Sequence, residues 1–518
     1  MRNPFLMLGV SFFLSLLLSC GGGGSGGGGS NGAATTSGNI ANNAPIKSKL
    51  SGKVTDKSGV AVAGVTITVF HHNTNTSVTT LTDANGQYAV SGLDTVNNAD
   101  YGIYAEKAGI AVYPHPAEGA GKIAKMDFNG LYRTLIRFTS MPAHDVTGAD
   151  FTAYRATDKV ASLPKTGQKM SYAQGDDSAS QKGVVWPDNR FIDNANGTVT
   201  DRLTGLIWLK NAGCFQPTDW PTALASANSL ASGSCGLSDN STAGQWRLPN
   251  ANELESLVDV SQINPSVAQG SPFAGIYTKT AYWTSTTYTA LPSNAMAIRF
   301  SDGRWINGID IGDNEYNNDK LKSSNGTWAV KSGNGGAVQV LATGVFFGDN
   351  LGGAGQTFGA HDDAELQLGA PLTSPRFIDN NNGTLVDTVT GLVWLKQGDC
   401  IKQTWAGALA QINNLATGQC GLSDGSSAGQ WRMPNRNEML SLSDRAPTFP
   451  QASYLNGQYH ASSVVSGPVV FNQFIVSDYY WTSTTDAADP TQAWSIYSCD
   501  FGIYNLPKTD TRFALAVR

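Results

Sequence analysis

The chain has 518 residues, a formal net charge of −6 and 58 glycines. That length accommodates about three or four domains, and modest charge with abundant glycine suits β-rich, loop-rich globular domains rather than disorder or coiled coil. The acidic balance supplies no basic footprint for nucleic acid, which is excluded as an expected partner. The first element in chain order is a targeting segment: Arg2 is a positive n-region, and Phe5 to Leu18 are almost wholly apolar. The run falls short of the ~20 residues that span a bilayer, so residues 1–19 read as a signal peptide.

The segment ends Leu17-Leu18-Ser19-Cys20, which resembles a bacterial lipobox. The resemblance implies cleavage before Cys20 and acylation of that residue, and several acyl chains exceed the two-signal threshold for stable membrane anchoring. Gly21 stands where an Asp would resemble an inner-membrane retention signal, so an outer-membrane or cell-surface location is expected. Residues 20–45 are the lipidated Cys and a tether of Gly, Ser, Asn, Ala and Thr. Such a coil reaches roughly 25–30 Å and holds the folded units off the membrane.

Residues 46–158 form the first folded unit. Short β-branched and aromatic runs, such as Val65-Thr66-Ile67-Thr68-Val69-Phe70, alternate with Gly, Asn and Asp turns, and Asn85-Gly86 is a hairpin signal. The order of Gly52-Lys53-Val54-Thr55-Asp56, the Val65 run and Thr82-Asp83-Ala84-Asn85-Gly86-Gln87-Tyr88 resembles carboxypeptidase-regulatory-like modules. The resemblance implies a small all-β sandwich serving as spacer or binding unit. His71 and His72 are adjacent, so in a strand they point to opposite faces and do not share a metal.

The rest of the chain is written twice. Arg190-Phe191-Ile192-Asp193-Asn194-Ala195-Asn196-Gly197-Thr198 returns as Arg376-Phe377-Ile378-Asp379-Asn380-Asn381-Asn382-Gly383-Thr384, a shift of 376 − 190 = 186 residues. A period that long is a duplicated domain, with copies at 160–334 and 337–518. Cys214 and Cys235 flank a segment in the first copy, as Cys400 and Cys420 do in the second. In an oxidising compartment they pair as Cys214–Cys235 and Cys400–Cys420. Cys499 is left over and reads as a buried free thiol. Thr404 caps a helix whose apolar positions Trp405, Ala408, Leu409, Ile412 and Leu415 fall on one face. Asn250 with Glu253, and Asn435 with Glu438, have capping-box spacing at the start of a second helix.

Further ordered matches are Gly244-Gln245-Trp246-Arg247-Leu248-Pro249-Asn250 with Gly429-Gln430-Trp431-Arg432-Met433-Pro434-Asn435, and Tyr282-Trp283-Thr284-Ser285-Thr286-Thr287 with Tyr480-Trp481-Thr482-Ser483-Thr484-Thr485. This string resembles the Lcl C-terminal domain family over nearly the whole of both copies. It implies a C-type-lectin-like α+β fold with a twisted antiparallel sheet, two helices and long loops, and a role in surface adhesion or recognition. The copies depart from each other in an Asn/Asp/Gly-rich stretch from Asp310 to Asn325 and an insertion between Ala446 and Ser477. The expected architecture is therefore multidomain: a β-sandwich, then two tandem lectin-like domains.

Chemistry shared by both copies is the candidate for function. Gly421-Leu422-Ser423-Asp424-Gly425 fits a nucleophile elbow, but the first copy breaks the pattern at Asn240 and residues 160–334 hold no His to act as base. Shared His is absent, which excludes a shared zinc site of the usual ligands. Calcium, which takes oxygen ligands, has candidates in Asp176, Asp177, Asp193 and Asp201 and in Asp362, Asp363, Asp379 and Asp387. Asp313, Glu315 and Asp319 offer a weaker set. Glu253 and Glu438 are explained by capping rather than glycosidase chemistry. A ligand surface has candidates in Trp246, Arg247 and Trp283 with their counterparts Trp431, Arg432 and Trp481. The expected function is a membrane-anchored, non-enzymatic adhesion lipoprotein recognising a glycan or an extracellular protein. The alternatives are a structural envelope protein without soluble ligand and a carbohydrate-active enzyme.

Overall fold

The computed structural model describes residues 47–518 apart from 57, 72, 75, 95–100, 108–109, 115–122, 125–134, 139–144, 156–160, 289–290, 307–317, 346–360, 367, 371–375, 444–470, 476 and 499–500. The signal peptide, Cys20 and its tether, His72, Asp313, Glu315 and Cys499 lie outside the described residues.

Lys47–Asp56 is the spine of the first unit. It pairs antiparallel with Gln87–Asp94 and parallel with Phe151–Arg155, so the unit closes on its own last strand. Ile110–Pro114 completes that four-stranded sheet, and a five-stranded sheet is built around Thr66–His71 and Tyr101–Glu106. Alternation along the strands sends Leu50, Val54, Tyr88 and Val90 of one sheet and Ile67, Val69 and Ile103 of the other into one core. This is the expected β-sandwich.

The duplicated units repeat one plan. Phe191–Asp193, Thr198–Asp201 and Ile207–Leu209 form a meander, as do Phe377–Asp379, Thr384–Asp387 and Val393–Leu395. In each, the hairpin glycine has positive φ, and a Cβ on Gly197 or Gly383 would lie 2.3 Å from the carbonyl of Gly236 or Gly421. The Asp-Asn-x-Asn-Gly run is thus a turn pressed against the Cys-Gly-Leu-Ser-Asp loop. A second sheet has Tyr282–Thr287 at its edge in one copy and Tyr479–Thr485 at its centre in the other. In the second copy Tyr479–Thr485 also pairs parallel with Arg512–Ala514, so that sheet is mixed rather than wholly antiparallel.

The helices are where spacing placed them. Thr404 caps Trp405–Asn413, burying Trp405, Ala408, Leu409 and Ile412. Both capping boxes are complete at Ala251–Glu255 and Arg436–Ser441. Cys214–Cys235 and Cys400–Cys420 are disulfides bracketing the first helix of each copy. Ten of the 12 tryptophans are fully buried. The other two, Trp186 and Trp305, stand together where the two copies meet.

Candidate functional site at the junction of the two copies

The aromatic candidates are interior. Trp246, Trp283, Trp431 and Trp481 are at most 1 % exposed. Each indole N–H is taken up inside the protein: Trp246 donates to Ser241 Oγ (2.9 Å), Trp431 to Ser426 Oγ (3.0 Å), Trp283 to Thr218 O (2.8 Å) and Trp481 to Gln403 O (3.1 Å). Arg247 and Arg432 make bidentate bonds of 2.6–2.7 Å to Glu253 and Glu438. The expected ligand surface is therefore corrected to a core. A buried guanidinium requires a carboxylate partner, and the capping glutamate of the next helix is that partner.

The eight candidate calcium ligands are dispersed. Asp201 and Asp387 each clamp an arginine, Arg190 and Arg376, through two bonds of 2.8–3.0 Å. Asp193 and Asp379 take Lys210 (2.6 Å) and Lys396 (2.5 Å). Asp176 and Asp362 cap short helices, accepting from Ala179 N (2.9 Å) and Glu365 N (3.0 Å). Among the described residues no group of three or more His, Cys, Asp or Glu is placed to hold a metal. The physical reason is that each carboxylate already has its own cation, N–H or hydroxyl donors.

Asp177 and Asp363 show something the repeat did not disclose. Asp177 lies in the leader of the first copy, the stretch before its meander, yet its Oδ2 accepts from Thr484 of the second copy (2.7 Å) and from Thr166 (2.6 Å). Asp363 lies in the corresponding leader of the second copy, yet accepts from Thr286 of the first (2.7 Å) and from Thr343 (2.5 Å). Burial pushes the two carboxyls up, to about 6 for Asp177 and about 7 for Asp363, against the opposing effect of the threonine bonds. The exchange extends along the leaders. Thr485 N donates to Gln168 (2.7 Å) and Asn437 Nδ2 to Pro164 O (3.1 Å), while Asn250 Nδ2 donates to Leu368 O (3.0 Å) and Asn252 Nδ2 to Leu341 O (3.0 Å). Arg436 of the second copy, itself fully buried, forms an ion pair with Glu255 of the first. Glu255 also accepts from Trp305 Nε1 (2.5 Å).

One cavity lies on this seam and a second lies beside it. The smaller, about 90 Å³, is walled by Leu163, Trp186, Glu255, Trp305, Leu341 and Leu440. The larger, about 250 Å³, lies between the first leader and residues 259–269 of the first copy. Lys165, Lys169, Asp177, Trp186, Asp259 and Gln269 line it. Asp259 is 2 % exposed. Its Oδ1 accepts from Ser261 N (2.9 Å) and Oγ (2.7 Å). Burial holds this carboxyl above its ordinary range, opposed by the Ser261 bonds and the fields of Lys169 and Arg190. Gly167, at φ +96°, lets the chain pass: a Cβ there would sit 2.4 Å from Asp259 Oδ1 and 3.2 Å from Trp186 Cη2. The carboxylate and the indole edge therefore converge on one point of the cavity wall. Trp186 is held by Nε1 donating to Lys165 O (2.9 Å) and by Arg190 stacked at 4.5 Å.

The Lcl C-terminal domain model matches residues 197–330 and again 383–518, more than half of the chain. The chain belongs to the Lcl C-terminal domain family. The carboxypeptidase regulatory-like model matches residues 49–116, and the pairing of modules suggests a cell-surface protein. No curated protein matches the chain. Both Lcl C-terminal matches begin at the hairpin glycine, Gly197 or Gly383, so the exchanged leaders lie outside them. Comparing the copies pointed to Trp246 and its relatives because these are the most repeated residues. Trp186 and Lys169 belong to one leader and gave no such signal. Asp259 had one: it follows Glu253 by the same six residues that separate Asp444 from Glu438. Asp444 lies outside the described residues.

Proposed function

We propose that the protein is a lipid-anchored cell-surface binding lipoprotein that recognises a glycan in a cavity between the leader and the body of its first Lcl C-terminal copy. The observation that carries this reading is the cavity of about 250 Å³, a little below the roughly 300–1,000 Å³ of drug-sized pockets. It combines one indole edge with carboxylate, ammonium and amide groups, a mixture suited to hydroxyl-rich ligands. The signal peptide, the Cys20 lipobox and the tether supply export, anchorage and reach. The β-sandwich is a further spacer.

The role is binding rather than catalysis. Glu253 and Glu438, the shared carboxylates at glycosidase-like positions, have both oxygens engaged by Arg247 and Arg432. Ser423 sits in the loop that the Asn382 carbonyl anchors (2.9 Å), and its neighbour Asp424 is taken by Arg518 (3.0 Å). Binding needs no calcium in this reading, since the shared aspartates are occupied by arginine, lysine, threonine and backbone N–H groups. The test is a glycan array probed with the full chain in detergent micelles, with calcium and with EDTA. The expected result is a defined set of glycans bound equally in both buffers. Binding lost in EDTA would restore calcium. An empty array in both buffers would overturn the reading and favour a structural envelope role.

A further inference from the structure

We infer that the larger cavity takes one neutral sugar residue, with Asp259 Oδ2 accepting from its hydroxyls and Lys169 donating to them; this rests on the glycan reading above. Among the described residues Asp259 Oδ2 has no hydrogen-bond partner, although the side chain is 2 % exposed. That oxygen is not sealed off: it opens to the cavity, where a hydroxyl of a bound molecule can replace water as its donor. The two Ser261 bonds hold the other oxygen, so the free one is pre-positioned. Lys169 lines the same cavity, is exposed, and has no ion pair among the described residues.

The charge balance sets the ligand class. Two carboxylates, Asp177 and Asp259, face two ammonium groups, Lys165 and Lys169. An acidic ligand would meet the Asp259 carboxylate at the wall, and a cationic one would meet both lysines. A hydroxyl group donates to the first and accepts from the second, so a neutral polyol satisfies both. The Trp186 edge, beside Asp259 at the Gly167 gap, supplies apolar wall for the C–H groups of a sugar ring. The volume of about 250 Å³ is on the scale of a single sugar ring. Exposed Met170 and Val185, 64 % and 65 % accessible, flank the leader where the rest of an oligosaccharide would leave.

The experiment is a titration of the full chain, in detergent micelles, with methyl hexopyranosides of gluco, galacto and manno configuration. Glucuronate and glucosamine serve as charged comparators. Saturation-transfer NMR detects contact and calorimetry gives the affinity. The expected result is binding of at least one neutral hexoside, weaker binding of the charged sugars, and about tenfold or greater loss in Asp259→Asn. Asparagine keeps the Oδ1 acceptor for Ser261 and replaces the free oxygen by a donor. Lys169→Ala, on an exposed side chain, weakens binding by a smaller factor and keeps the test open should Asp259→Asn unfold. Hexoside binding left unchanged by both variants would overturn this pocket while leaving the glycan reading intact. So would a positive glycan array without hexoside binding. An empty array together with no hexoside binding would overturn both.

Discussion

Arg190 in the first copy and Arg376 in the second make the same bonds: two to an aspartate eleven residues on, and one of 2.6 Å to a helix carbonyl, Ser256 O or Ser441 O. Arg247 and Arg432 repeat in the same way, as do the tryptophans they sit beside. Where the copies face each other the threonine and asparagine bonds still repeat, but the ion pair does not. Arg436 stands where the first copy has Ala251, and Glu255 where the second has Leu440. The leader Lys165-Thr166-Gly167-Gln168 corresponds to Ala342-Thr343-Gly344-Val345: the Thr-Gly step that serves the aspartate is kept, and the flanking polar side chains are not. Repetition in this chain marks the frame, and divergence marks where ligand chemistry is available.

The frame predicts the largest effects. Arg247→Ala or Arg432→Ala leaves a buried glutamate without its cation, and each is expected to lower stability by ~3–5 kcal/mol. Chemical denaturation of the two variants should give similar values, and a near-neutral result in one copy would break the equivalence. Next comes the seam. Arg436→Ala strips Glu255 of its partner across the copies and should cost somewhat less, about 2–3 kcal/mol, because Trp305 still donates to that carboxylate. Adding Glu255→Leu, which installs the residue of the other copy, should recover most of the loss in a double-mutant cycle.

The smallest effect sharpens the comparison of the two leaders. Asp177 and Asp363 have folded-state values pushed above the ordinary 3.8, to about 6 and about 7. The folded state thus binds protons more tightly than the unfolded chain. The stability these groups contribute is complete below about pH 4 and is lost as pH rises through about 6 and 7. Asp177→Asn with Asp363→Asn, which keeps an acceptor for the threonines, should flatten that part of the pH–stability curve between about pH 4 and 7. An unchanged slope in thermal melts would contradict the assignment.

Much of the frame was legible in the chain. Alternating β-branched runs, the Asn-Gly turns, the caps at Thr404, Asn250 and Asn435 and the cysteine pairs are local signals, and each acts on neighbours a few residues away. The roles of the repeated pairs were not legible, because a tryptophan in a loop motif looks the same whether its ring faces solvent or core. Trp246 and Trp431 are buried because Lys331 and Arg518, far along the chain, come to stack on them at 4.9 Å. The exchange of leaders was invisible for a related reason. A duplicated sequence pairs each Asp with the copy whose leader it lies in, whereas Thr484 and Thr286 are identical partners and cannot say which aspartate each will accept.

The exchange itself is most directly tested by two fragments of similar size. One, 160–334, holds the first copy with the leader on its N-terminal side; the other, 188–370, holds the same copy with the leader on its C-terminal side. Cooperative thermal unfolding of each, monitored by circular dichroism, separates the alternatives. The exchanged arrangement predicts that 188–370 unfolds in one sharp transition at the higher temperature, because it retains Asp363 and Thr343 against Thr286. Equal or greater stability of 160–334 would contradict it and return each leader to its own copy.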